Sequence, residues 1–170
     1  MSQNPTQDSA TLAEGQQVIT ACAVLNRMTD SGYEIMVARR AQHKKFLPGK
    51  YELPGGHIDF GEELVDGLKR ELSEELGIRV TIGDIVGAFT YMNKVKRSHS
   101  IEVIYLARLD DKTAPTINLD DHSELLWVNG SNIHIIEAVN GPDDEEFQYL
   151  LKALNMLNGD AAVNPGNASD

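Results

Sequence analysis

Between Gly56 and Ile78 the chain places charged and turn-forming residues at intervals that suit the handling of a hard cation: Gly56, Glu62, Arg70, Glu71, Leu72, Glu74, Glu75, Gly77 and Ile78. The apolar positions Val65, Leu68, Leu72 and Leu76 recur at helical spacing, which predicts one helix with a single buried stripe. At about 100° per residue, Glu71 and Glu75 lie one turn apart and Glu74 falls at the edge of the same sector. Like charges so placed cost a helix roughly 0.2–0.5 kcal/mol per pair, and a divalent cation removes that repulsion. Oxygen ligands with no His or Cys partner suit Mg2+ or Mn2+ better than Zn2+, and Mg2+ commonly binds a few carboxylates together with substrate phosphates. The chemistry implied is metal-assisted work on a diphosphate. Arg70, adjacent to Glu71 and one turn from Glu74, is placed to orient the carboxylates, with phosphate contact as a second role.

The usual explanation of a Glu-rich helix is a solvated acidic face. That reading gives no reason for Gly56, Arg70 and Gly77 to stand where they do. Asp59-Phe60-Gly61 reads as the loop before the helix, with Glu62 and Glu63 at its positive end, and Gly77 as the left-handed stop. Gly67 points toward the acidic sector, either to admit a neighbouring backbone or ligand or simply to avoid a packing clash.

Around this helix the pattern predicts strands near Val18–Arg27 and Tyr33–Arg40, joined as a hairpin through Thr29-Asp30-Ser31-Gly32. A short strand Tyr51-Glu52-Leu53 follows, and Pro54-Gly55-Gly56 breaks the chain before the helix. Two β-rich stretches, Val80–Tyr91 and Ser100–Leu109, pair across a basic loop, and Leu125–Val128 is a last strand. A second amphipathic helix runs from Asp143 to about Leu157 with Phe147, Leu150, Leu151 and Leu154 buried. Residues 1–15 and 158–170 read as disordered tails flanking one domain over 16–157. With no internal repeat, a mixed sheet between helices is the natural architecture.

Composition narrows the partners. A net charge of −11 argues against binding long nucleic acid, whose phosphates require a basic surface, while a small metal-bound nucleotide escapes that objection. No apolar run approaches a membrane span, and the polar N-terminus does not read as a signal peptide. Cys22, in the apolar run Ile19–Leu25, reads as a buried thiol in a reducing compartment, and a cytoplasmic location is expected. Two basic stretches, Arg39-Arg40 to Lys45 and Lys94 to His99, could rim an anion site. Arg40 is favoured as a ligand contact, and Lys96 and Arg97 are left open.

The nine spaced residues match the box of the Nudix hydrolases, G-x5-E-x7-R-E-U-x-E-E-x-G-U with U aliphatic, and the chain resembles that family at every constrained position. An accidental match is on the order of 10^-10 per starting point, which removes chance as an explanation. The likeness extends upstream through Arg39-Arg40 and Glu52-Leu53-Pro54-Gly55. The resemblance implies an α/β/α sandwich with a central mixed sheet, and hydrolysis of a phosphoanhydride in a nucleoside diphosphate linked to another moiety. It implies Glu71, Glu74, Glu75 and the Gly56 carbonyl as metal ligands, for Mg2+ with Mn2+ as a substitute. Arg40 and Glu52 are implied substrate contacts, Glu62 a tie between loop and helix or a water-mediated ligand, and Glu71, Arg70 and Glu74 the catalytic set. Family members differ in their general base, so beside Glu71 the candidates Glu102, Asp120, Asp121, His122 and Glu124 stay open.

The ADP-ribose branch commonly carries a proline soon after the box, and none occurs between Arg79 and Lys112. The dinucleotide branch has a downstream tyrosine for which Tyr91 falls too early, and the coenzyme A motif is not found. A nucleoside triphosphate, in ordinary or oxidised form, is the default substrate, with Phe46, Tyr91 or Trp127 able to stack on a base. The alternatives are a nucleotide-sugar or dinucleotide pyrophosphatase, a non-catalytic nucleotide-sensing module, and an isomerase of the isopentenyl-diphosphate type. Homodimerisation is common in the family and stands as a hypothesis that a light-scattering mass decides.

Overall fold

The computed structural model describes residues 15–110 and 114–159, so the expected tails lie almost wholly outside the described residues. Among the described residues seven strands form one mixed sheet. They are β1 (Gln17–Thr29), β2 (Gly32–Arg40), β3 (Tyr51–Glu52), β4 (Gly55–His57), β5 (Val80–Asn93), β6 (Ser98–Leu109) and β7 (His122–Val128). The helices are α1 (Leu64–Leu76), α2 (His134–Asn140) and α3 (Glu145–Leu157). The main path runs β3-β2-β1-β6-β5, parallel between β1 and β6 and antiparallel elsewhere, with β4 added to β1 and β7 to β2.

Strict alternation along β1 makes the layers. Ala21, Ala23 and Leu25 pack with Leu68, Leu72 and Leu76 of α1, while Cys22 and Val24 pack with Phe147, Leu150 and Leu154 of α3. The sheet is therefore covered on both faces, the α/β/α sandwich expected. The two alanines leave room for the leucine stripe of the acidic helix, whose polar side is thereby turned away from the core.

The topology also opens the sheet where the site lies. β1 and β2 pair only over Asn26–Thr29 and Gly32–Ile35. Beyond that, β1 pairs with β4 through Thr20–Cys22, and β2 pairs with β3 through Ala38 and Arg39. The segment from Tyr51 to His57 thus bridges two diverging strands, and the Ala23 amide donates to the Pro54 carbonyl at 2.8 Å. Buried Asn140, at the end of α2, holds this bridge by accepting from the Tyr51 amide at 2.9 Å and donating to the Tyr51 carbonyl at 2.7 Å.

Several features depart from the sequence expectation. β7 begins at His122, three residues before the expected Leu125, because its register against β2 extends to Arg40 across a bulge. β4 was expected only as a break: two glycines and a proline carry no β signal, and pairing with β1 makes the strand. α2 was not anticipated, being seven residues with no side-chain cap. α1 begins at Leu64, so Glu62 lies in the preceding loop and not in the first turn. Gly77 closes α1 as expected, at φ 65° with its amide donating to the Ser73 carbonyl. Buried Gly67 has a packing role: a Cβ there would lie 2.7 Å from both Ile58 Cδ1 and Glu62 Oε2.

Candidate active site

The fork between β1 and β2 and the polar face of α1 enclose a cleft of about 910 Å3, within the ~300–1,000 Å3 usual for ligand sites. Its lining carries eight carboxylates and three cationic side chains, Arg40, Lys44 and Arg70. A polyphosphate entering such a cleft meets net repulsion unless further positive charge comes with it.

Arg70 organises the mouth. Its guanidinium donates to Glu62 Oε1 and Oε2, each at 3.0 Å, to Glu71 Oε1 at 2.9 Å, to Glu74 Oε2 at 3.3 Å and to the His57 carbonyl at 3.0 Å. Glu62 also accepts from the Asp59 amide at 3.0 Å, so it ties loop to helix. Hydrogen bonds from Arg70 and that amide hold the Glu62 carboxyl below its usual range. Glu71 experiences the opposite balance: burial raises its pKa, and Arg70 only partly opposes this.

Glu75 lies deeper. Its Oε2 is buried with no hydrogen-bond partner, and burial together with the negative charges of Glu52, Glu71 and Asp121 pushes its pKa up to about 9. The backbone is brought against these side chains by Gly55 and Gly56. A Cβ at Gly56 would fall 2.5 Å from Glu71 Oε2, and one at Gly55 2.2 Å from the Ala21 carbonyl oxygen. An orphaned buried carboxylate oxygen, like-charged neighbours and an all-oxygen donor set fit a hard divalent cation. Among the described residues no three such groups already converge at ligand distances, and the Arg70 ion pairs hold Glu71 and Glu74 in their present positions.

The opposite wall comes from β2, β3 and β7. Buried Arg40 donates to both oxygens of Glu52 at 3.0 Å and to the Phe46 carbonyl at 2.7 Å. His122 Nε2 lies 2.8 Å from Glu52 Oε1, and its Nδ1 is buried without a partner. Lys44 pairs with Asp121 at 2.6 Å.

The structure thus brings every site residue read from the sequence to one cleft: Arg40, Glu52, Gly56, Arg70, Glu71, Glu74 and Glu75. Of the wider candidates for the base, Glu102, Asp121 and His122 face it, whereas Asp120 and Glu124 are not among its lining, Glu124 accepting from the Tyr51 hydroxyl at 3.0 Å. Trp127 packs beneath the Arg27 guanidinium in the α1-side core, away from the cleft, and Phe46 and Tyr91 stack on each other at 5.9 Å. Lys96 is fully buried in the β5–β6 turn and does not line the cleft. Glu146 and Asn140 were missed by sequence reasoning. Glu146 reads as an ordinary polar position of the last helix, and only an i to i+4 mismatch with the apolar stripe could have singled it out.

A family model for the NUDIX domain matches residues 17–151. The chain belongs to the Nudix hydrolase family. It is 32% identical over 149 residues to a protein of Mycobacterium tuberculosis named putative 8-oxo-dGTP diphosphatase 2, an alignment covering 86% of this chain and 94% of that one. Among solved structures, a MutT protein from Methanosarcina mazei superposes with a TM-score of 0.60 at 23% identity, covering 85% of this chain and 93% of the other. A C. elegans Ap4A hydrolase in a binary complex gives 0.66 at 21%, covering 82% and 97%. At these identities the two structures show the fold. As a Nudix hydrolase the protein is a pyrophosphohydrolase, and the box read from the sequence is its loop, acidic helix and closing glycine. Among the described residues no helix is long and apolar enough to cross a membrane.

Proposed function

We propose that this Nudix hydrolase cleaves a nucleoside triphosphate, ordinary or oxidised, to the monophosphate and pyrophosphate with Mg2+, and that Mn2+ can replace it. The observation that carries the reading is Glu75: a carboxylate buried among Glu52, Glu71 and Asp121 with one oxygen unpartnered in a cleft of ligand size. The name of the Mycobacterium tuberculosis relative supports a nucleoside triphosphate as substrate.

In this reading Glu71, Glu74 and Glu75 hold the cation with the Gly56 carbonyl. When bound there, the cation supplies the charge that offsets the phosphate oxygens and the activation that makes water a sufficient nucleophile. Arg70 is a positioning residue, fixing Glu62, Glu71 and Glu74 relative to the loop carbonyl at His57. Glu71 is the proposed general base: it lines the cleft beside the Gly56 backbone, and burial raises its pKa, which makes it a better proton acceptor than a solvated carboxylate. Arg40 and Glu52 are the proposed substrate contacts on the facing wall, held to one another as a pair. The free, buried thiol of Cys22 supports a cytoplasmic site of action.

The test is pyrophosphate and phosphate release over a panel of nucleoside triphosphates, nucleotide sugars and dinucleotides, with Mg2+ and then Mn2+, using the wild type and Glu75→Gln. Turnover of triphosphates that falls about 10^2- to 10^3-fold in the variant is expected. Turnover confined to sugars or dinucleotides overturns the substrate, and silence across the panel overturns catalysis in favour of a sensor.

A further inference from the structure

Beyond the box, the inner end of the cleft holds acidic groups that cation binding at α1 does not use. Glu102 projects from β6 with 5% of its surface exposed, yet it lines the cleft. The Cys22 thiol of β1 lies against its carboxyl, while the Thr20 hydroxyl donates to the Ile101 carbonyl at 3.3 Å. Its Oε1 is buried and has no hydrogen-bond partner. Glu146 reaches the same end from α3, accepts from the Leu53 amide, and lies near enough for the charge of Glu102 to act on it. Glu52 lines the same cleft, and its charge acts on both of these carboxyls and on Glu75.

A buried acceptor left unpartnered is costly unless a bound ligand completes it, and the group that completes it must be a donor. The preference is strong when the acceptor is held by packing, because a ligand lacking the donor leaves it unpaired. Nucleobases differ in what they can offer here. Guanine presents a ring N–H next to an amino group, two donors side by side. Adenine and cytosine place an amino group beside a bare ring nitrogen, whose lone pair would face the carboxyls. Thymine flanks its single N–H with carbonyls. Oxidation of guanine at C8 leaves the donor edge unchanged.

We propose that Glu102, with Glu146 beside it, reads the base of the substrate by accepting the ring N–H and amino N–H of a guanine-type Watson–Crick edge. The proposal rests on the triphosphate reading above and adds to it the substrate class. It assigns the inner end of the cleft to the base and the α1 face to the phosphates.

The test compares kcat/KM of the wild-type protein with Mg2+ for dGTP, 8-oxo-dGTP, dITP, dATP and dTTP. Guanine-type substrates are expected to exceed dITP, which lacks only the amino group, by about 10- to 100-fold. In Glu102→Gln, whose amide can point a donor at the base, the ratio of the dGTP value to the dATP value should fall by a similar factor. Equal wild-type values for dGTP and dITP overturn the proposal while leaving triphosphate hydrolysis intact, and this comparison needs no variant to fold. An unchanged dGTP to dATP ratio in Glu102→Gln, or a uniform loss on all substrates with weaker Mg2+ activation, also overturns it, the latter by making Glu102 part of the cation site. No turnover of any triphosphate removes both readings together.

Discussion

The two ends of the cleft accommodate clustered carboxylates by opposite physical means. At the mouth, Glu62, Glu71 and Glu74 share the Arg70 guanidinium, and the side chain of Glu74 remains 62% exposed. At the inner end, Glu102 lies against the Cys22 thiol and Glu146 accepts from the Leu53 amide, and burial raises both pKa values, that of Glu102 to about 7. One end meets the crowding of carboxylates with a guanidinium and solvent, and the other with burial and uncharged neighbours. A polyphosphate needs cations, and the charged end can recruit them. A base needs a fixed, dry set of hydrogen-bonding groups, which the inner end provides.

Three experiments probe this contrast. Gly56→Ala should have the largest effect, since the new Cβ would lie 2.5 Å from Glu71 Oε2 and displace it. A fall in kcat of about 10^2-fold is expected with the far-ultraviolet circular dichroism unchanged, as for a misplacement of about 1 Å. Full activity in that variant would show that Glu71 tolerates relocation and weaken its role as base. Arg70→Ala should lower kcat/KM by about 10- to 100-fold through loss of carboxylate orientation, with a higher Mg2+ concentration needed for half-activation. If Mg2+ activation instead sharpened, Arg70 would be a competitor of the cation and not its organiser.

The smallest effect concerns stability at the inner end. The folded-state pKa of Glu102, about 7, exceeds its ordinary 4.5, so the folded protein keeps a proton that the unfolded chain releases. Unfolded chains therefore bind fewer protons between those values, and stability falls as pH rises from about 4.5 through about 7. Glu102→Gln removes this contribution, and its melting temperature should gain on that of the wild type by several degrees across the window. Parallel melting curves from pH 4.5 to 8 would mean that the carboxyl ionises freely in the fold.

The difference between the two ends also explains how much could be read from the chain. The acidic helix was legible because its ligands, its apolar stripe and its closing Gly77 are all local, within one stretch of helical period. The paired strands β1–β2 and β5–β6 were legible for the same reason, as neighbouring alternating segments. Glu52 could be named only through the family resemblance and Arg40 only as part of a basic stretch, and their pairing depends on β3 lying beside β2.

By itself the sequence determined the box, the two-faced alternation that demands helices on both sides of a sheet, and the anhydride chemistry that clustered oxygen ligands imply. Those properties depend on residue type and spacing along one element. Only the tertiary structure decided that β1 and β2 diverge to admit the Tyr51–His57 bridge, that Asn140 pins it, and that Glu102 and Glu146 come to line one cleft. Such meetings join residues 44 positions apart or more, as in the case of Glu102 and Glu146, and no periodicity encodes them. Chain packing, by removing water from side chains that are unremarkable in the linear sequence, gives them their chemistry.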